Sequence, residues 1–76
     1  GIAMDVYTDQ PGVQLFTAPD FSYMTGKGGV QYGIGSSFCL ETQHFADAMN
    51  HENFPSIVLQ AGEVFSSETI YRFRVE

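Results

Sequence analysis

Residues 36–45, SSFCLETQHF, set one carboxylate into a short apolar stretch. Side chains alternate across a β-strand, so a strand over residues 36–43 places Phe38, Leu40 and Thr42 together on one face. The other face then carries side chains that are small or polar, namely Ser37, Cys39, Glu41 and Gln43. The pattern predicts that Glu41 lies outside the apolar row, on a face that leaves room for a ligand.

The same alternation predicts further strands on both sides of this stretch. They cover residues 2–8, 13–17, 56–60 and 64–75. In the last strand the set Phe65, Ser67, Thr69, Tyr71, Phe73 and Val75 is expected to face a core, and the alternating set to face mostly water. The fold class is therefore predicted to be all-β, with no internal domain boundary.

Three connecting segments have their own signals. The run Gln10-Pro11-Gly12-Val13 predicts a type II turn with positive φ at Gly12, which would fold strand 13–17 back on strand 2–8. Residues 18–35, which hold five of the eight glycines, predict a long surface loop. Residues 45–55 predict a helical turn or short helix that ends before Pro55.

Composition excludes several classes of function. Three basic residues against nine acidic ones give a formal charge of −6, so we expect no nucleic-acid partner. The longest apolar runs have three residues, whereas a membrane-spanning helix needs roughly 20, so we expect no membrane partner. The single cysteine excludes a disulfide framework and favours a reducing, cytoplasmic location.

Common site motifs are also absent. The GKGG run at 26–29 lacks the Ser or Thr and the spaced glycine of a phosphate-binding loop. Cys39, His44 and His51 match no zinc spacing, so we expect no metal and no cofactor. A thiol and a base five residues apart would be poorly aligned, which favours Cys39 as a small buried apolar residue over a nucleophile.

Two features favour a ligand without deciding for it. Gln14 and Phe16 share one strand face, and an aromatic ring beside an amide suits a sugar, although an ordinary half-buried strand fits equally well. Glu41 has three interpretations: an exposed strand residue, a buried carboxylate bonded to backbone N–H groups, or a general base in a pocket. Periodicity alone leaves all three open.

Three blocks of sequence carry a resemblance to a known family. They are DVYTDQPGVQLFT (5–17), FCLETQHFADAMNHENFPS (38–56) and LQAGEVFSSETIYRF (59–73). In order and spacing they resemble the carboxyl-terminal part of the aldose 1-epimerase, or galactose mutarotase, family. Members of that family are several times longer and fold as a large β-supersandwich. The resemblance therefore implies that residues 1–76 are the carboxyl-terminal segment of one such sandwich and not an independent domain.

The resemblance also implies roles for individual residues. It assigns the general base to Glu41 and sugar binding to Gln14, and it leaves ring stacking on the sugar to Phe16, which stands where many relatives have Tyr. The family's general acid is a His that neither His44 nor His51 matches, so we expect the upstream remainder of the same protein to supply it. The implied substrate is a sugar such as galactose or glucose. The alternatives are a sugar-phosphate epimerase of the same fold, a non-catalytic carbohydrate-binding module, and a small independent β protein.

Overall fold

The computed structural model describes residues 1–19 and 22–76. Within these residues there are six strands in three antiparallel pairs, together with two single-turn 3-10 helices. The pairs are β1 (Ile2–Thr8) with β6 (Thr69–Val75), β2 (Gly12–Phe16) with β5 (Cys39–Gln43), and β3 (Met24–Thr25) with β4 (Gln31–Tyr32). The 3-10 helices are Lys27–Gly29 and Ala48–Asn50. The all-β prediction is confirmed.

Strand positions agree with the sequence better than strand lengths do. The prediction for residues 2–8 matches β1, whereas the strands predicted at 36–43 and 64–75 are shorter, because only Cys39–Gln43 and Thr69–Val75 have a paired neighbour. The strand predicted at 56–60 is wrong. Residues 57–59 are apolar but exposed, and they pair with no strand in the described part of the chain.

The predicted turn at Gly12 is also wrong. Gly12 does not have a positive φ, and β1 does not pair with β2. Each of these strands instead pairs with a distant one, so that Ile2 lies across from Val75 and Gly12 lies across from Gln43. The backbone conformation at position 12 therefore does not itself require glycine.

The predicted loop over residues 18–35 contains secondary structure of its own. The strands β3 and β4 form a small hairpin, and the 3-10 turn Lys27–Gly29 connects them. Gly26 begins this connection at a point where an added β-carbon would overlap the ring of Tyr32. The part of the loop prediction that falls on residues 20 and 21 lies outside the described residues.

The two faces of the β1–β6 pair differ in polarity. Cross-strand partners share a face, so Ile2, Met4 and Val6 lie beside Val75, Phe73 and Tyr71. The opposite face carries the ion pair between Asp5 and Arg74, with 3.2 Å between Oδ2 and Nε. The predicted core-facing side chains of β6 share one face, but the described residues do not cover it: Phe73 is 68% and Val75 is 87% exposed. The opposite face is mixed, because Ile70 and Tyr7 lie there with the charged residues.

Three threonine hydroxyls join the two main strand pairs. Thr69 Oγ1 lies 3.2 Å from Thr8 Oγ1 within the β1–β6 pair and 2.9 Å from Thr42 Oγ1 on β5. Thr42 is on the face of β5 opposite to Glu41, together with Leu40. The apolar face of β2–β5 and the apolar face of β1–β6 therefore meet at Thr69.

Most of the apolar surface of this segment is not covered by the segment itself. Ala48 is the one buried apolar residue among residues 1–19 and 22–76, whereas 22 large apolar side chains are exposed. The accessible surface is 6422 Å², compared with about 4600 Å² for a compact protein of this mass. The radius of gyration is 16.9 Å, compared with about 11 Å for a compact domain of this length. Over the described residues, no helix has the length and apolar character needed to cross a membrane.

Candidate functional site

Gln14 and Glu41 are direct partners in the β2–β5 pair. Direct partners on antiparallel strands place their side chains on the same face, with β-carbons typically about 4.5–5.5 Å apart. Phe16 and Cys39 form the next pair on this face. The three residues singled out from the sequence, Gln14, Phe16 and Glu41, are therefore brought together on one sheet face.

Glu41 is exposed on that face. Among the described residues it has no hydrogen-bonding or ion-pair partner, so this part of the chain does not hold it as a buried structural carboxylate. Of the three interpretations of Glu41, an exposed strand residue and a proton acceptor for a ligand are compatible with this geometry.

Gln14 and Phe16 present complementary groups beside Glu41. The Gln14 amide nitrogen donates to the carbonyl of Leu15 at 3.1 Å, which leaves its second N–H and its carbonyl oxygen available to a ligand. Phe16 is 49% exposed, so about half of its surface can contact a ligand. The face therefore offers a carboxylate, an amide and an aromatic ring within one strand pair.

Two clefts flank this face. A cleft of about 260 Å³ is lined by Gly12, Val13, Gln14, Gln43, His44, Phe45 and Ala46. A second cleft of about 200 Å³, at the other end of the pair, is lined by Phe16, Thr17, Ala18, Gly33, Ser37 and Cys39. Another cavity of about 210 Å³, around Met49, His51 and Phe54, contains none of the residues predicted for the site. Gln14 lines the first cleft and Phe16 lines the second, whereas Glu41 lines neither.

The expectation that Cys39 is buried is wrong for this segment. Cys39 is a free thiol and is exposed. It lies across from Phe16 on the same face as Glu41, and the described residues leave it exposed. Alternation along the strand places Cys39 on the same face as Glu41, so Cys39 is exposed because that face is exposed.

Neither histidine contacts Glu41. The ring of His44 lies 6.2 Å from the ring of Phe65, and His51 Nε2 lies 3.2 Å from the Asp47 carboxylate. In the described part of the chain, no three side chains of His, Cys, Asp or Glu are grouped so as to hold a metal ion. We call the face of the β2–β5 pair that carries Gln14, Phe16, Cys39 and Glu41 the site face. Glu41 is the carboxylate of this face, and no histidine lies beside it.

The ionisable groups with shifted pKa values lie on the other strand pair. The backbone N–H of Glu68, at 3.1 and 3.2 Å, and then the hydroxyl of Ser67, at 2.9 Å, lower the pKa of Asp9 below its usual 3.8. Hydrogen bonds to Asp5 and then to Glu76 raise the pKa of Arg74. These contacts connect the ends of β1 and β6 and do not belong to the site face.

Comparison with known proteins gives a consistent answer. The family model described as "Aldose 1-epimerase" matches residues 1–72. The chain is 42% identical over 76 residues to the galactose mutarotase of Homo sapiens and 43% identical to that of Rattus norvegicus. It is 29% identical over 77 residues to the aldose 1-epimerase of Escherichia coli (strain K12). Each match covers 99% of this chain and 22% of the relative. No solved structure matches the chain.

The family match extends over the site face as well as over the framework. It includes β2 with Gln14 and Phe16, β5 with Glu41, and most of β6. The same blocks of sequence carried the resemblance described above, and the match at more than 40% identity runs across nearly the whole segment. The chain therefore belongs to the aldose 1-epimerase family.

Proposed function

We propose that the protein containing this segment interconverts the α and β anomers of an aldohexose, with galactose or glucose as the substrate. In this reaction a base removes the proton from the C1 hydroxyl while an acid protonates the ring oxygen, and the ring opens. The C1–C2 bond then rotates and the ring closes on the other face. The reaction is an isomerisation that needs proton transfer and no redox step.

Glu41 is the proposed base. The single observation that supports it best is the register of β2 against β5, in which Gln14 lies directly across from Glu41. A carboxylate that removes a hydroxyl proton must lie within hydrogen-bonding distance of that hydroxyl, so the sugar must be held beside it. Gln14 can bond to hydroxyls with both its N–H and its carbonyl oxygen, and Phe16 can pack against the C–H face of the ring.

The proposed acid is a histidine outside residues 1–76. Two proton carriers must be in opposite protonation states at one pH, and a carboxylate with a protonated imidazole meets this requirement. His51 is paired with Asp47, and His44, which lines the cleft beside Gln14, makes no hydrogen bond to Glu41; neither stands in a motif that matches the family's acid. We propose that this segment forms the carboxyl-terminal strands of a β-supersandwich, and that the rest of the protein closes the sugar cleft over the site face.

The activity is tested with the complete polypeptide. Purified protein should accelerate the mutarotation of α-galactose or α-glucose, measured by polarimetry, and should do so with added chelator. Each proton-transfer group typically contributes about 10² to 10⁴-fold, so substitution of Glu41 should remove most of the acceleration. Absence of any acceleration by the unmodified protein would refute the proposal.

Two other functions are outcomes of the same assay. A sugar-phosphate epimerase needs a cluster of Arg or Lys, whereas Lys27 stands alone in the turn between β3 and β4, and Arg72 and Arg74 lie on the β1–β6 pair. Preference for glucose 6-phosphate over glucose would favour that function. Sugar binding without turnover, retained in Glu41→Gln, would favour a non-catalytic carbohydrate-binding module.

A further inference from the structure

Gly12 begins β2 at a point where the ring of Phe45 lies against the strand. A β-carbon on Gly12 would lie 3.2 Å from Phe45 Cδ1 and 3.4 Å from Cε1, and the first distance is shorter than ordinary van der Waals contact. The φ of Gly12 is not in the left-handed region, so the backbone conformation itself does not require glycine. A side chain at position 12 would therefore press the Phe45 ring away by a few tenths of an ångström.

Phe45 is itself held in place by the turn that follows β5. Its ring lies 5.2 Å from that of Phe54, which lies 4.8 Å from that of His51. His51 in turn pairs with Asp47, and the backbone N–H of Ala48 donates to the carbonyl of Phe45 at 3.2 Å. The ring that contacts Gly12 therefore packs against Phe54, and the backbone bond from Ala48 holds the turn that carries it.

The register of β2 against β5 is not fixed by a tight turn. Residues 17–38 connect the two strands, whereas a two-residue hairpin would set the register by its own geometry. A slip of two residues would keep every side chain on its present face but would place Gln14 across from Cys39 or Gln43. Side-chain contacts must therefore select the observed register, and they include the Thr42–Thr69 hydrogen bond on one face of β5 and the Phe45–Gly12 contact at the end of the pair.

We propose that Phe45, packed on Gly12, is a positioning residue that fixes this register and so keeps Gln14 across from Glu41. Gly12 lies across from Gln43, one pair along the same face from Gln14 and Glu41, so the Phe45 ring acts at the end of the site face. The register claim rests on geometry alone. Its consequence for catalysis rests on the proposed function.

The register is tested in the full-length polypeptide by a thiol assay that does not depend on activity. Phe16 lies across from the native Cys39, so Phe16→Cys should form a disulfide with Cys39 on mild oxidation, because paired strands bring the two α-carbons within disulfide range. The bridge is detected by peptide mass. Combination with Gly12→Val should reduce this bridge, and combination with Phe45→Ala should reduce it as well, because either change removes the packing of the ring on position 12. Gln14→Cys, which reports a slip of two residues, should bridge to Cys39 in the Gly12→Val and Phe45→Ala backgrounds and not in the otherwise native protein.

Activity is then compared in the same series. Gly12→Val should lower kcat for mutarotation by about 100-fold or more, because a misplacement of about 1 Å can already cost that much and a slip of two residues is larger. KM should rise as well, because Gln14 leaves its place across from Glu41. Gly12→Ala should have a smaller effect in the same direction, and Phe45→Ala alone should also lower kcat. Leu15→Met, which changes a side chain on the opposite face of β2 at nearly constant volume, is the matched control and should leave kcat and the disulfide pattern unchanged. Folded fraction is measured for every variant by circular dichroism.

Failures of the two claims are separable. Unchanged bridging in Gly12→Val and Gly12→Ala, or no bridge between Cys39 and the thiol introduced at position 16 of the otherwise native protein, would overturn the positioning role of Phe45. Unchanged bridging in Phe45→Ala, or a loss of activity that only follows the folded fraction, would also overturn it. If bridging follows the expected pattern but Glu41→Gln retains full activity, the proposed function fails and the register claim stands.

Discussion

Residues 1–76 produced alone should not form a stable folded domain. Their accessible surface of 6422 Å² exceeds the roughly 4600 Å² of a compact protein of this mass by about 1800 Å². A standard protein interface buries about 800 Å² on each partner, so the uncovered surface is about twice that size. Somewhat more than half of it is apolar if it is typical of protein surfaces.

The energy involved is larger than the stability of a small domain. About 1000 Å² of apolar surface at about 25 cal/mol per Å² corresponds to about 25 kcal/mol. A domain of this length is stable by roughly 4 to 11 kcal/mol in total. The free energy missing because this apolar surface stays exposed is therefore larger than the total stability of such a domain. We expect the isolated segment to be unfolded or aggregated.

Amide hydrogen exchange provides the assay. In the isolated segment the amides of β1, β2, β5 and β6 should exchange rapidly, and the sample should aggregate or bind a hydrophobic dye. In the full-length protein the same amides should be protected, because the remaining polypeptide covers the apolar faces. A monomeric 76-residue segment with a cooperative thermal transition and protected strands would refute this reasoning.

Three further predictions concern single residues in the full-length protein. Thr69→Val removes hydrogen bonds to Thr8 and Thr42 and should lower the free energy of unfolding by about 1–3 kcal/mol in denaturant titration, whereas Thr17→Val should have little effect. The lowered pKa of Asp9 means that its ionised form stabilises the fold above the usual value of 3.8, and this contribution is lost as the pH falls through the lower folded value. Asp9→Asn should therefore reduce stability near neutral pH and weaken its dependence on pH in acid, as measured by chemical denaturation, and an unchanged pH profile would contradict this. Gln14→Ala should raise KM for the sugar by about 3 to 10-fold with a smaller change in kcat, because it removes hydrogen bonds made before and during the reaction, and an unchanged KM would exclude Gln14 from the sugar site.

Local patterns in the sequence predicted local features well. Alternation of side chains predicted the position of β1. It also predicted that Gln14 and Phe16 share a face of β2 and that Cys39 and Glu41 share a face of β5. These predictions succeed because the period of a strand is a property of its own residues. The same rule applied at 56–60 failed, since a strand also needs a paired neighbour and residues 57–59 have none in the described part of the chain.

Pairing between distant segments could not be predicted in this way. The Pro-Gly sequence before Val13 satisfies a local turn rule, but β1 pairs with β6, whose partner residues are as far apart as Ile2 and Val75. The glycine at position 12 lies against the Phe45 ring, a contact that no local pattern encodes. The pairing of Gln14 with Glu41, on which the candidate site depends, likewise needed the structure to establish it.

The most direct test of the account is the mutarotation rate of Glu41→Gln in the full-length protein, compared with Glu52→Gln as an exposed matched control. The amide keeps the shape of the side chain and its hydrogen-bonding ability but cannot accept a proton at neutral pH. We expect kcat to fall by about 10² to 10⁴-fold while sugar binding and thermal stability are retained, and the control to remain unchanged. A kcat in Glu41→Gln close to that of the unmodified protein would contradict the assignment of Glu41 as the general base.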